Sequence, residues 1–314
     1  ITALAAVTGN VKLEGYRRFV LNPRALMFGG RFPGLISLLR MYETVLTGQP
    51  YPIKALWIAR HNFMNQNPDN NKVLKEIVPR MEFIVVADMF MNDSAQYADI
   101  VLPTCSFFEY LDVVQPIDQL LPYMQLQPKV IEPYYESKPD REIVNGLGAR
   151  MGLGKDFSLS AEQYIGLLLS SGHVSVKGIT LEKLGKGPIE VPPYDVPVFR
   201  TSSGRIEFYS ERMKEFGEEL PVYKEPLESA RQPLARKYPL SYLSAHTKYG
   251  CHGSLDNVAW LRELDVEPLL EMNPLDAEER GITDGDIVVA FNDRGRVKLK
   301  AKIHQGIKPG VVNI

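Results

Sequence analysis

The sequence predicts two folded parts: an α/β domain built on a parallel, helix-covered sheet and, behind it, a compact β-barrel. Three observations carry this. Phe83 to Val86 is a continuous apolar, β-branched run, as expected of a strand buried on both faces. Ahead of it lie a strand candidate, Ile53 to Ala59, a polar loop and an amphipathic helix, Asn71 to Val78. Strand, loop, helix, strand with short links is a βαβ unit and implies a parallel sheet. From Tyr238 onward, short alternating strands, tight Gly turns and one small helix replace the helical pattern, which suits a barrel.

Taken in order, residues 1 to about 50 read as an N-terminal linker. Val7-Thr8-Gly9-Asn10 is a turn signal, Gly29 to Gly34 a loop, and Leu35 to Leu46 a helix with Gly48 as its C-cap. In the helix Asn71 to Val78, the residues Val73, Leu74, Ile77 and Val78 form the apolar face. The strand that follows stops at Asp88. Ligands of open α/β sheets sit outside the carboxyl ends of strands, so Asp88 either contacts a nucleotide or caps the short helical segment after it. Asp99-Ile100-Val101-Leu102, closed by Pro103, repeats the acid-plus-strand unit. Glu109 to Pro133 reads as a long irregular run, a covering or functional loop. Helical spacing resumes at Asp140 to Met151, and Ser160 with Gln163 is a capping box for a helix over Ala161 to Leu169. The α/β domain is thus placed at 1–171.

Residues 172–237 read as an extended linker with one β-hairpin, Phe199 to Tyr209, and a short helix, Glu211 to Phe216, between Ser210 and Gly217. The barrel is placed at 238–314. Its strands are Leu240 to Leu243, Ile287 to Phe291, and Val297 to Ile303, the last with Lys298, Lys300 and Lys302 on a solvated face. Asn292 to Gly295 makes the turn between the last two, and Pro274 to Arg280 is a helix closed by Gly281. The chain starts at Ile1 and ends on a strand-like Val311 to Ile314, so the barrel reads as incomplete and the chain as part of a longer protein.

Composition narrows function. With 36 basic and 38 acidic residues mixed throughout, there is no electrostatic footprint for nucleic acid. No stretch approaches the ~20 apolar residues of a membrane helix, so no direct membrane insertion is expected. Cys105, Cys251 and five histidines are scattered without CxxC or cluster spacing, which argues against an iron–sulfur or zinc site within these residues. GxGxxG, P-loop, GxSxG and HExxH motifs are lacking. Cys105 reads as a buried, inert thiol sooner than a nucleophile. His246 and His252 flank Tyr249-Gly250-Cys251 in a polar loop, and His61 stands at a strand end; each is open to ligand contact or core packing. His173 and His304 read as surface residues.

Several stretches, in the same order, resemble one family. VVADMFMNDSAQYADIVLPTCSFFE resembles the third domain of the molybdopterin oxidoreductases of the dimethyl sulfoxide reductase family. AAVTGN, WIARHNFMNQNPD and ESKPDREIVNGLGARMGLG resemble its lead-in, its strand with an Asn-containing loop, and its closing helix. FRTSSGRIEFYSE resembles the linker hairpin, and the stretch from YPLSYLSAHTKYGCHG to IKPGVV resembles the molybdopterin-dinucleotide-binding barrel. The resemblance implies a Rossmann-like α/β domain followed by a six-stranded, double-psi-like barrel truncated at its C-terminus.

It also implies a bis-molybdopterin guanine dinucleotide cofactor carrying molybdenum or tungsten. By motif, Asn62, Ala87, Asp88 and Asp140 become cofactor contacts, Asp88 at the guanosine end. Tyr110 stands where related enzymes place a lysine. In the barrel, Ser244, Ala245, His246, Thr247, His252 and Gly253 fall on the cofactor-contacting loop, with His246 in a place often held by arginine. No metal ligand and no catalytic residue is expected within these residues. The resemblance puts the metal's protein ligand and a 4Fe-4S cluster in domains before Ile1, so the 314 residues alone are expected to lack redox activity. It further implies an anaerobic respiratory enzyme, possibly one for sulfur compounds, with an iron–sulfur electron-transfer subunit and a membrane-anchor subunit as partners, at the periplasmic or outer face of the cytoplasmic membrane in preference to the cytoplasm. The alternatives are a cofactor-free structural subunit of the same descent and an unrelated nucleotide-binding protein, which would have no barrel after Tyr238.

Overall fold

The structure, a computed structural model, describes residues 36–114, 123–172, 176–191, 201, 203–246, 248–250, 253–255, 257–264 and 267–314. They group into two compact units, Ile1–His61 with Arg80–Pro221 and Asn62–Pro79 with Val222–Ile314.

In the first unit, helix α1 (Leu38–Thr47) ends where Gly48 turns left-handed at φ 71° and donates its N–H to the Thr44 carbonyl. A Cβ there would be strained, which is why the C-cap is glycine. Strands β1 (Ala55–Ala59), β2 (Phe83–Asp88) and β3 (Ile100–Pro103) form the expected parallel sheet, in that order. Ile58 and Ile84 to Ala87 are buried. Helix α2 (Asp140–Arg150) follows, and helix α3 (Ala161–Leu169) carries both halves of the Ser160–Gln163 capping box.

Two departures from the sequence reading lie in this unit. The Glu109–Pro133 run contains strands β4 (Asp112–Val114) and β5 (Tyr123–Gln127), which pair antiparallel and are extended by β6 (Ile189–Glu190). Helix α4 (Leu181–Gly185) lies between β5 and β6 in the chain, and Val113, Met124, Ile165, Leu168, Val176, Ile179, Leu184 and Val191 form one core around it. Part of the stretch read as linker is therefore core. Conversely, Thr201 and 203–209 form no strand: the Thr201 hydroxyl donates to the Arg205 carbonyl at 2.7 Å, and Ser203 N–H donates to Glu207 Oε1 at 3.0 Å. Those local side-chain bonds compete with a hairpin ladder. The rest of the expected hairpin, Phe199, Arg200 and Ser202, lies outside the described residues.

In the second unit, the expected helix over 71–78 is one α-turn (Asn70–Lys72), a π-turn (Val73–Ile77) and a 3₁₀ turn (Val78–Arg80). Pro79 has no N–H to continue a regular ladder. Val73 and Ile77 are the buried members of the expected apolar face. Strands β7 (Ser241–Leu243), β8 (Leu269–Met272), β9 (Ile287–Phe291), β10 (Arg296–Ile303) and β11 (Val311–Asn313) form one mixed sheet in the order β7-β11-β8-β10-β9. β7/β11 and β8/β10 are parallel; β11/β8 and β10/β9 are antiparallel. Helix α5 (Pro274–Glu279) is capped by Asn273, whose Oδ1 accepts Leu275 N–H at 2.9 Å. Buried Asp276 accepts Gly310 N–H at 2.8 Å and so ties α5 to the turn before β11. Leu270, Met272, Ala277 and Val312 make the core. β8 had no sequence forecast: Leu269 to Met272 shows only two buried positions in alternation.

Candidate functional site

The carboxyl edge of the parallel sheet is assembled by backbone pairing beyond the strands themselves. Arg60 N–H bonds the Ala87 carbonyl at 3.2 Å and Thr104 N–H bonds the Asp88 carbonyl at 3.1 Å. Lys138 N–H bonds the Pro103 carbonyl at 3.1 Å, and Cys105 N–H bonds the Lys138 carbonyl at 3.2 Å. Four chain segments thereby end side by side, and Asp140, two residues past Lys138, arrives at the same edge as Asp88.

Arg60 is the hub of this edge. It lies in the left-handed region at φ 53°, unusual for a residue with a Cβ. Its guanidinium forms an ion pair with Asp140, the first residue of α2, and donates to the Tyr110 hydroxyl at 3.1 Å. Burial works against the charged form of Arg60, but the Tyr110 hydrogen bond and the Asp140 carboxylate more than offset it, so its pKa is raised. The cation is thereby fixed in place and keeps its charge.

Asp88 is half-buried and does not cap the 3₁₀ turn that follows it, Ala95–Tyr97. Its Oδ1 accepts Met89 N–H at 2.7 Å and Phe90 N–H at 3.3 Å, and its Oδ2 accepts Asn92 Nδ2 at 3.0 Å. Asn92 Oδ1 in turn accepts the N–H of Ala95, the first residue of that turn, at 3.0 Å. Each carboxylate oxygen keeps lone-pair capacity beyond these bonds, so Asp88 remains able to accept from a ligand. Buried Glu109 is structural: its oxygens accept Ser106 N–H and Tyr134 N–H, each at 2.6 Å, which joins the start and end of the segment that holds Tyr110. Cys105 is buried, its thiol pushed up by burial, in keeping with an inert group.

In the second unit, Asn62 sits at the N-cap of the turn Phe63–Gln66, its N–H donating to Gln66 Oε1 at 3.2 Å. The loop after β7 exposes Ser244, Ala245, His246 and Gly253. Ala245 N–H is held by Asn313 Oδ1 at 3.0 Å. Thr247 and His252 lie outside the described residues. The structure therefore joins Tyr110 and Asp140 through one guanidinium and brings Ala87 and Asp88 to the same sheet edge. Arg60 was not among the expected site residues; the signal for it was a cation directly after an apolar strand. Among the described residues no group of three His, Cys, Asp or Glu side chains could hold a metal ion, and no helix is long and apolar enough to cross a membrane.

Comparison with known proteins identifies the family. Residues 1–150 match the family model for molybdopterin oxidoreductase, and residues 240–314 match that for the molydopterin dinucleotide binding domain. The chain is 31% identical to the dimethyl sulfoxide reductase DmsA of Escherichia coli (strain K12), over 83% of this chain and 36% of that protein. It is 30% identical to the dimethyl sulfoxide/trimethylamine N-oxide reductase of Cereibacter sphaeroides, over 84% of this chain and 36% of that protein. It superposes on acetylene hydratase from Pelobacter acetylenicus with a TM-score of 0.74 at 25% identity, covering 87% of this chain and 38% of that one. The chain spans between about a third and a half of the length of the curated relatives it matches. On the two family models and these relatives together, the chain belongs to the molybdopterin oxidoreductase family, the family of dimethyl sulfoxide reductase.

Proposed function

We propose that this chain is the cofactor-clamping part of a molybdenum or tungsten oxidoreductase that holds a bis-molybdopterin guanine dinucleotide. The observation that carries the reading is the chemistry of the sheet edge. Two carboxylates, Asp88 and Asp140, and one fixed cation, Arg60, stand at the carboxyl edge of the parallel sheet, and Arg60 donates to the Tyr110 hydroxyl. A guanosine presents amino, imino and hydroxyl donors, which suit carboxylate acceptors. Asp88 would accept from the base or ribose, while Arg60 holds Asp140 and Tyr110 in orientation. Within the second unit, the family motifs make Asn62 and the Ser244 to Gly253 loop cofactor contacts of their own, the loop chiefly through backbone N–H groups, which suit phosphates and pterin carbonyls.

The finer picture goes with this reading: a Rossmann-like domain over 1–171, a linker over 172–237, and a closed, six-stranded double-psi-like barrel of which 238–314 is part. When bound, the pterin-chelated metal would supply oxygen-atom or coupled proton–electron transfer. The name of the hydratase neighbour shows that one fold can carry another reaction, so substrate class rests on the reductase relatives. Those relatives favour a respiratory enzyme for an oxidised sulfur or nitrogen compound. An iron–sulfur cluster in the remainder of the protein, an iron–sulfur partner subunit, a membrane anchor and a periplasmic setting belong to the same reading.

The test is metal and pterin analysis of the intact protein, by mass spectrometry for molybdenum and tungsten and by release of guanine nucleotide. Both are expected. Asp88→Ala should weaken nucleotide retention roughly tenfold or more, the scale of a hydrogen bond to a charged group. Wild-type protein purified anaerobically without pterin would instead identify a cofactor-free structural relative.

A further inference from the structure

A chain of polar contacts in the second unit runs from β10 to the loop after β7. Glu271, on β8, has its Oε1 3.3 Å from Lys302 Nζ and 3.3 Å from His304 Nε2. Its Oε2 accepts a hydrogen bond from Asn313 Nδ2 at 2.9 Å. Asn313, on β11, uses its other end, Oδ1, to accept Ala245 N–H at 3.0 Å. The ladder makes this possible, because Asn313 is the register partner of Glu271 on one side and of Leu243 on the other. His304, expected to be an ordinary surface residue, accepts Gly306 N–H on Nδ1 at 3.2 Å.

An asparagine amide has a donor end and an acceptor end, and only its neighbours decide which way round it sits. Here one neighbour, a carboxylate, can only accept, and the other, a backbone N–H, can only donate. We infer that Glu271, held by Lys302, fixes the amide orientation of Asn313, and that Asn313 thereby positions the loop beginning at Ser244. Ala245 N–H is spent on this anchor. Its part is to set where Ser244 and His246 lie, and Asn313 and Glu271 are positioning residues. The functional consequence rests on the reading of this loop as a cofactor contact; the geometric claim does not.

The test is polarity exchange in the intact protein. Asn313→Asp sets a second carboxylate against Glu271, so at pH 7.5 the side chain turns away and releases Ala245. Ala245 amide exchange, followed by NMR with 15N-alanine, should become about tenfold faster, the scale of one lost hydrogen bond. Adding Glu271→Gln restores a donor facing an acceptor, and exchange should return to within about twofold of wild type. Glu267→Gln, at a carboxylate paired with Lys300 outside this chain of contacts, should leave it unchanged. The Ala301 amide, bonded to the Asp286 carbonyl at 2.7 Å, reports whether the sheet is intact. If Asn313→Asp does not fold, Glu271→Ala is the second reading: the amide then samples both orientations, and Ala245 should exchange about twofold faster. Wild-type exchange in Asn313→Asp or Glu271→Ala, or a double variant no slower than Asn313→Asp, overturns the inference. Pterin dinucleotide content, read by fluorescence of the oxidised pterin, should fall and recover with the same pattern. If exchange follows the pattern and pterin content does not, the positioning stands and the cofactor role of the loop fails.

Discussion

Replacing Arg60 by alanine and, separately, by glycine divides its two roles. Alanine removes the guanidinium but keeps a Cβ at φ 53°; glycine removes both. The ion pair with Asp140 is half in solvent, with side-chain exposures of 58% and 32%, so it contributes about 0.5 kcal/mol, and the Tyr110 hydrogen bond about 1 kcal/mol. Arg60→Ala should therefore cost about 1.5 kcal/mol. Relief of the left-handed strain contributes ~1–2 kcal/mol to Arg60→Gly. Against that stands ~0.5–1 kcal/mol of added unfolded-state entropy. The glycine variant should thus exceed the alanine variant by roughly 0.5–1 kcal/mol. In a unit of this size that difference is about 2 °C in Tm, with the alanine variant about 4 °C below wild type. Thermal melts by far-UV circular dichroism, with all three proteins at one pH and salt, read both. A glycine variant no more stable than the alanine variant would refute the left-handed backbone at Arg60. An alanine variant at the wild-type Tm would refute the claim that Arg60 holds the edge together.

Two further outcomes are specific. A Cβ at Gly148, buried in α2, would lie 2.6 Å from Phe157 Cβ and 2.7 Å from its Cγ, so Gly148→Ala should cost ~1–3 kcal/mol by overpacking. An unchanged Tm in this variant counts against the packing described. The Glu109 carboxyl is held below the ordinary value of 4.5 by its hydrogen bonds from Ser106 and Tyr134. A depressed folded-state pKa stabilises fully above the unfolded value and is lost as pH falls through the folded one. Protection of the Ser106 and Tyr134 amides should accordingly hold at pH 6 and fade below about pH 4.5, and Glu109→Gln should remove that dependence. A pH-independent protection in wild type would contradict it.

The parallel sheet, the Gly48 stop, the Ser160–Gln163 box and the β9–β10 pair were legible because each is written in residues close in sequence. An apolar run, a residue that tolerates positive φ, and a hydroxyl three positions before a glutamine act within one turn or one strand. β4, β5 and β8 were missed because each is short and gains stability from partners elsewhere, so its own alternation is too brief to stand out. The Phe199 to Tyr209 stretch shows the reverse failure. Its alternation suits a hairpin, yet in its described part, Thr201 and 203–209, Thr201 and Ser203 satisfy nearby groups locally, and no strand among the described residues pairs with it.

The amino-acid order alone placed Asp88 and Asp140 at the ends of their elements and, through the motifs around them, marked the family. It left open whether Asp88 faced a ligand or its own turn, and the fold shows the carboxylate bracing Met89 to Asn92 with capacity to spare. Arg60 acquires its place only when positions 50 and 80 residues away, Tyr110 and Asp140, are brought to one sheet edge. Asn313 meets Ala245 across 68 positions in the same way. Local signals need only the backbone's own geometry, whereas these contacts exist only after strand pairing has closed long loops, and nothing in a window of residues records that closure.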